Sequence, residues 1–246
     1  MISQTSFGAR IDNAKKVLVH LSTFTGYNPP VEQTAEALSN FLTALEKHNA
    51  DAASKAESNS NAKEMRRQAF KTGNGSLRKM SLQVLAAVRS QYGIKSRQAT
   101  DVKVIVNRIT GSVGKKTTKP PVPENPPTAT QTPTDTESKS VSKRETGFGN
   151  MLKTFADVVA TVKNYGATYT PGNTAITTGA LQTRLKELSE INRNATASYS
   201  VLKQSQLERM DLYKQLKDKI QRIKNAVKSQ YDIGSVEYGL IKGIKV

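Results

Sequence analysis

The sequence predicts an all-α chain: two duplicated antiparallel helical bundles, about four helices each, joined by a disordered linker rich in Pro and Thr. Three observations carry that expectation. Apolar residues recur at steps of three and four in both halves, the period of a helix with one buried face. No sustained period-two alternation bounded by hairpin turns appears, so strand signals are missing. One stretch occurs twice, as Arg89-Ser90-Gln91-Tyr92-Gly93-Ile94-Lys95-Ser96 and as Lys228-Ser229-Gln230-Tyr231-Asp232-Ile233-Gly234-Ser235, with five of eight positions identical.

Further matches occur in the same order. Phe7-Gly8 answers Phe148-Gly149 at a shift of 141 residues, and Tyr27-Asn28-Pro29 answers Tyr169-Thr170-Pro171 at 142. Leu38, Leu42, Leu45 and Asn49 answer Leu181, Leu185, Leu188 and Asn192 at 143, whereas Tyr92 and Tyr231 differ by 139. A nearly constant shift over so many signals points to a tandem of two units rather than a short-repeat solenoid. The expected units are residues 1–110 and 147–246, with 111–146 as the linker. The change of shift between Leu45 and Tyr92 places a few extra residues in the first unit. Gly73-Asn74-Gly75 lies there, so a helix broken near Asn74 is expected in the first unit and a continuous one in the second.

In order, a first helix is expected from about Ala9 to Phe24, burying Ile11, Ala14, Leu18 and Leu21. Gly26 and Pro29-Pro30 end it. A second helix starts near Val31, buries Leu38, Leu42 and Leu45, and frays in the Ala/Ser/Asn-rich region after Asn49. A third runs from about Ala62 to Gln91 with Met65, Leu77, Met80, Val84 and Val88 inward, interrupted near Asn74. Gly93 then stops the helix, and Ser96 caps a fourth that ends near Ile109. Tyr92 and Gly93 thus read as a helix-to-helix elbow, and Tyr27, Pro29, Tyr169, Pro171 and Tyr231 as the other structural joints. Asp232 replaces the glycine in the second elbow, which predicts a differently shaped turn there. The linker holds Pro120-Pro121 and Pro126-Pro127 in a Thr/Ser-rich run, a composition that cannot bury apolar surface. The second unit repeats the plan. Leu152, Phe155, Val159 and Val162 line its first helix, and Leu181, Leu185, Leu188 and Ile191 its second. Tyr213, Leu216, Ile220, Ile223 and Val227 form a coiled-coil-like seam on the third, and a short last helix from Ser235 carries Leu240, Ile241 and Ile244.

The 246-residue chain has room for two small units, each with its own core. It has no cysteine, which excludes disulfides and thiolate metal ligands. No apolar run reads as a signal peptide or a membrane span, and a cytoplasmic location is expected. Lys and Arg number 37 against 20 Asp and Glu, a net charge of +17, and both units carry the excess: 16 against 8 in residues 1–110, and 15 against 8 in 147–246. Such a balance favours anionic partners, or serves only to keep the protein dispersed.

No catalytic or metal-binding pattern stands out. His20 and His48 fall on separate helices with no second His at a ligand spacing. No Gly-x-Ser-x-Gly and no clustered carboxylate pair is present. Gly111-Ser112-Val113-Gly114-Lys115-Lys116-Thr117 resembles a phosphate loop, but Ile109 stands where its first glycine is needed, and it follows a helix rather than a strand. An enzyme is therefore not expected, nor a cofactor, nor a small-molecule substrate. The strongest binding feature is a lysine stripe. Lys203, Lys214, Lys217, Lys224 and Lys228 project within about one quadrant of the long last helix at roughly 100° per residue. Lys217 answers Arg78 and Lys228 answers Arg89, both at a shift of 139. These residues read either as two matched anion-binding faces or as solvated faces whose stems cover core edges. Aromatics are too few for a single-strand stacking platform.

With its Phe-Gly start, Tyr-x-Pro turn and Ser-Gln-Tyr joint in each half, the chain resembles tandem helical-bundle proteins of Bacteroidota-type bacteria. That resemblance covers most of both units and implies no activity. The functional expectation is a basic, non-enzymatic interaction or scaffold protein that binds a macromolecular partner. The alternative is sequence-independent RNA or DNA binding through phosphate contacts.

Overall fold

The computed structural model describes residues 6–111 and 147–246. They are helical, with no strand among them. The expected linker lies almost wholly outside the described residues. The N-terminal half holds α1 (Phe7–Thr23), α2 (Ala35–Arg67), a wide π turn (Gln68–Thr72), α3 (Leu77–Tyr92) and α4 (Arg97–Thr110). The C-terminal half holds α5 (Phe148–Asn164), α6 (Thr178–Tyr231) and α7 (Val236–Lys242). Short 3-10 turns at Val31–Gln33 and Thr174–Ile176 precede α2 and α6.

Local chemistry accounts for the helix ends. The hydroxyls of Ser6, Ser76, Ser96 and Ser235 accept from Ala9, Lys79, Ala99 and Tyr238 backbone N–H groups at the starts of α1, α3, α4 and α7. Gly93 and Gly111 end α3 and α4 with φ of 92° and 72°, where a side chain would be strained. Asp232 ends α6 at φ 75°. Its elbow keeps the bonding of the glycine elbow: Gly93 N donates to Arg89 O and Ser96 N to Gly93 O, as Asp232 N donates to Lys228 O and Ser235 N to Asp232 O. The two elbows thus share their backbone hydrogen bonds, and the Asp232 elbow differs in that Ile233 N also donates to Asp232 Oδ1 at 2.6 Å; Asp is among the few non-glycine residues that tolerate a positive φ.

The break near Asn74 is present, and α6 runs unbroken through the matching region. Two other expectations change. The fraying after Asn49 does not occur, and the expected second and third helices of the C-terminal half are one helix. Between Asn49 and Arg67 there is no Gly or Pro, five alanines favour helix, and Lys55 pairs with Asp51 one turn earlier. The stretch around Ala195 likewise lacks a breaker. Met65, expected in the core, is 62% exposed, and Phe70 in the π turn is the buried residue instead. Leu240 is also exposed, while its neighbour Ile241 is buried.

Two compact units result. The first comprises residues 1–61 with 196–246, and the second residues 62–195. In the first, Ile11, Val17 and Leu21 of α1 and Leu38, Leu42 and Leu45 of α2 pack with Tyr213, Leu216, Ile220 and Ile223 of α6 and Ile241 of α7. In the second, Leu77, Val84 and Val88 of α3 and Val102, Val106 and Ile109 of α4 pack with Phe155, Val158 and Val162 of α5 and Leu181 and Leu188 of α6. The expected boundaries follow the order of the chain, whereas each compact unit takes elements from both halves. Helix continuity provides a reason. Leu188 and Tyr213 lie on one unbroken helix, so the apolar stretches around them cannot fold back on each other and each finds other partners.

Candidate functional site

The recurring motifs meet one another inside each unit, always across the halves. In the first unit, the Gln230 amide donates to Gly26 O while its Oε1 accepts from Asn28 N at 3.0 Å, and the Tyr231 hydroxyl donates to Thr25 O at 2.9 Å. Tyr27 stacks on Tyr231 with ring centroids 6.4 Å apart and donates to Gln33 O at 3.2 Å. In the second unit, Gln91 Nε2 donates to Thr170 Oγ1 at 3.0 Å, Tyr92 and Thr168 hydroxyls share a 2.9 Å bond, and Tyr169 donates to Ile176 O at 2.9 Å. Each Ser-Gln-Tyr elbow therefore clasps the Tyr-x-Pro turn of the opposite half. Burial pushes the phenols of Tyr27 and Tyr169 up to about 12, with smaller contributions from Tyr231 and Tyr92 respectively. These joints are structural latches: their polar groups are spent on one another.

A second pair of clusters was not legible as a site in the sequence. The Phe7 ring lies 4.5 Å from that of Tyr213, and the Arg209 guanidinium sits 4.6 Å over Phe7. Tyr213 donates to Phe7 O at 3.2 Å and accepts from Asn49 Nδ2 at 2.8 Å. In the second unit Phe148 meets Phe70 at 5.3 Å, Arg66 sits 4.3 Å over Phe148, and Arg66 also donates to Asn192 Oδ1 at 3.4 Å. Arg66 and Arg209 differ by 143 residues, as do Asn49 and Asn192, and Phe70 and Tyr213. The signal was a charge placed on an otherwise ordinary helix, visible only once the ring beneath it is known.

The predicted basic residues divide. Lys203, Lys214, Lys217 and Lys228 are exposed along α6, and none forms an ion pair within the described residues. Lys224 does not join them. It is partly buried, donates to Lys242 O at 3.1 Å and Ile244 O at 2.5 Å, and burial lowers its pKa. It therefore ties down the end of α7. Arg78 similarly donates to Thr110 O at the end of α4. Arg89 is half-buried, and its Nε is shielded from water with no acceptor among the described residues. Exposed Leu207 (51%) and Met210 (53%) lie within the lysine stripe, an apolar component the sequence reading did not single out. His48 Nε2 stands 3.7 Å from Glu208 Oε2, and the described residues hold no group of three or more metal-ligating side chains. Among them, no helix is long and apolar enough to cross a membrane.

Beside the Tyr27 turn, two clefts open between that turn and α6 within the first unit. One, of about 610 Å³, is lined by Pro29, Pro30, Gln33, Arg222, Asn225 and Ser229 among others. The other, of about 440 Å³, adds Glu32, Ala37, Phe41, Asp218 and Lys219, and the two share Gln33 and Arg222. Lys219 is engaged by Glu32, at 2.7 Å to its carbonyl and 3.3 Å to its carboxylate. Among the described residues Arg222 makes no ion pair, even with Asp218 one turn before it. Compared with known proteins, the chain matches no family model, no curated protein and no solved structure.

Proposed function

We propose that the chain is a non-enzymatic helical interaction protein, built from two diverged copies of one unit, that binds a macromolecular partner through exposed helix faces. The observation that carries the binding part is the α6 stripe. Lys203, Lys214 and Lys217 form no ion pair with the described residues, and exposed Leu207 and Met210 stand among them. A purely solvated face has no need of large apolar side chains in its middle, and a phosphate-binding face makes no use of them. A protein surface uses both kinds of residue. The duplication is supported by the paired latches and ring clusters and by the nearly constant spacing of their members.

A second reading, sequence-independent binding of RNA or DNA, is favoured by the net charge of +17 and by the same unpaired lysines. A photoreactive residue at position 207 or 210 tests the two readings in extract of the source cells. The expected result is a discrete polypeptide adduct that survives nuclease and disappears when Lys203, Lys214 and Lys217 are changed to Gln. Submicromolar binding of a duplex DNA or an RNA hairpin at physiological salt, lost in that triple variant and unaffected at Leu207→Ser, overturns the first reading in favour of the second.

A further inference from the structure

We propose that the break ahead of α3 holds a self-modifying pair: the backbone nitrogen of Gly75 attacks the side chain of Asn74 and converts it, through a cyclic imide, to an aspartyl or isoaspartyl residue. Asn74 is the one asparagine of the chain that is followed by glycine. The matching stretch of the C-terminal half, from Tyr213 to Asp218, holds neither Asn nor Gly and runs on inside α6.

Ring closure needs a nitrogen free of hydrogen bonds, a clear approach and a polarised carbonyl. Asn74 and Gly75 are both exposed. They occupy the middle of a turn closed by Ser76 N, which donates to Gly73 O at 3.1 Å. Gly73 N is engaged too, by Gln68 O at 2.9 Å, but the Gly75 N–H makes no hydrogen bond among the described residues. Inside a helix the same amide would be tied to the carbonyl four residues back, which protects Asn59 in α2 and Asn107 in α4. The approach is open as well. Gly75 has no side chain, and no atom lies within 4 Å of the place its Cβ would take. Lys79 supplies the polarisation. Its Nζ donates to Asn74 Oδ1 at 3.0 Å. A cation there draws electrons from Cγ and stabilises the negative charge that develops on Oδ1 as the nitrogen attacks.

The chemistry balances with water alone. Hydroxide takes the Gly75 amide proton, the nitrogen bonds to Asn74 Cγ, and the Cγ–Nδ2 bond breaks. The leaving nitrogen takes a proton from water and departs as ammonia. Water then adds to either ring carbonyl. Attack at Cγ restores the ordinary backbone and leaves an aspartyl side chain. Attack at the backbone carbonyl leaves an isoaspartyl link, with the chain running through the former side chain and one carbon longer. Either product carries a new carboxylate beside Lys79 Nζ and just ahead of α3, where negative charge is favoured. The isoaspartyl form also lengthens the turn that ends on Ser76, the residue whose hydroxyl caps α3.

The test ages full-length protein in mildly alkaline water enriched in heavy oxygen, both folded and unfolded in guanidinium chloride. Peptide mapping by mass spectrometry reads the incorporated label, and an isoaspartate methyltransferase reads the isoaspartyl product. The folded protein should convert at position 74 at no less than about a third of the rate of the unfolded chain, while Asn59 and Asn107 stay intact in the folded protein. Gly75→Ala should slow conversion at least about tenfold in both states by crowding the attacking nitrogen. That variant keeps the fold, because Gly75 lies outside the left-handed region and its Cβ would meet nothing. Lys79→Gln should slow the folded protein severalfold and leave the unfolded chain unchanged. A folded-state rate below that third overturns the proposal, since the turn then shields the pair. So does label at Asn59 or Asn107 to the same extent as at Asn74. Equal folded-state rates for Lys79→Gln and the parent overturn the part given to the lysine.

Discussion

Cutting the chain within residues 112–146 should leave its two halves bound to one another. The perturbation is a specific protease site introduced in that stretch and cleaved in the native protein. In the first unit the C-terminal half supplies Tyr213, Leu216, Ile220, Ile223, Val227 and Ile241 to a core whose other side is α1 and α2. Six such side chains, at about 1.5–3 kcal/mol each, place about 9–18 kcal/mol of burial across the cut in this unit. The second unit adds a comparable set, with Phe70, Leu77, Val84, Val88, Val102 and Val106 on one side and Phe155, Val158, Val162, Leu181 and Leu188 on the other. Against this stand the loss of translational freedom, about 4–15 kcal/mol, and ordering of side chains at the contact. At the middle of these ranges, two such cores leave a dissociation constant of about nanomolar or tighter. Sedimentation or size exclusion with light scattering reads the answer directly. The cleaved protein should run at the mass of the whole chain and come apart only on denaturation. Two separate folded species of half mass, each keeping its helical circular dichroism, would mean instead that each half closes its own bundle.

Gln33→Ile should raise stability by about 1–3 kcal/mol by removing an unpaired buried amide, seen as a melting temperature higher by about 2–4 °C per kcal/mol; an unchanged or lower midpoint would mean that the amide is satisfied in solution. Gly93→Ala forces a side chain into φ 92° and should cost about 1–2 kcal/mol, read from the denaturation midpoint. Stability should fall between about pH 10 and pH 12. The folded phenols of Tyr27 and Tyr169 hold their protons to about 12, above their ordinary value of 10.0. Their contribution is complete below pH 10 and is lost as pH rises toward 12. Tyr27→Phe with Tyr169→Phe should flatten that part of the denaturation profile, and an unaltered slope would exclude the two phenols as its cause.

Helix positions were legible because their causes are local. A period of three and four residues, a serine one residue ahead of a helix, a glycine or proline after it, and an Asn-Gly pair in its middle each act over one or two turns. The Ser-Gln-Tyr elbow and the Tyr-x-Pro turn were legible as recurring features for the same reason. The candidate cleft was not. Gln33 reads as an ordinary polar residue after a turn, and only its place in a cleft beside Arg222, far later in the chain, sets it apart. Lys224 and Arg78 likewise looked like members of charged faces until their acceptors, the carbonyls at the ends of α7 and α4, came into view.

Read alone, the sequence predicts a helical chain, carries the same short motifs in both halves and is basic in each. It could not determine which apolar faces pair. The inward faces of matching helices are near-equivalent Leu, Ile and Val surfaces, and the hydrophobic effect does not distinguish a partner in the same half from one in the other. Tertiary structure decided that through continuity. The absence of any break between Leu188 and Tyr213 makes α6 one helix, a helix cannot fold onto itself, and each unit therefore closes with elements from both halves.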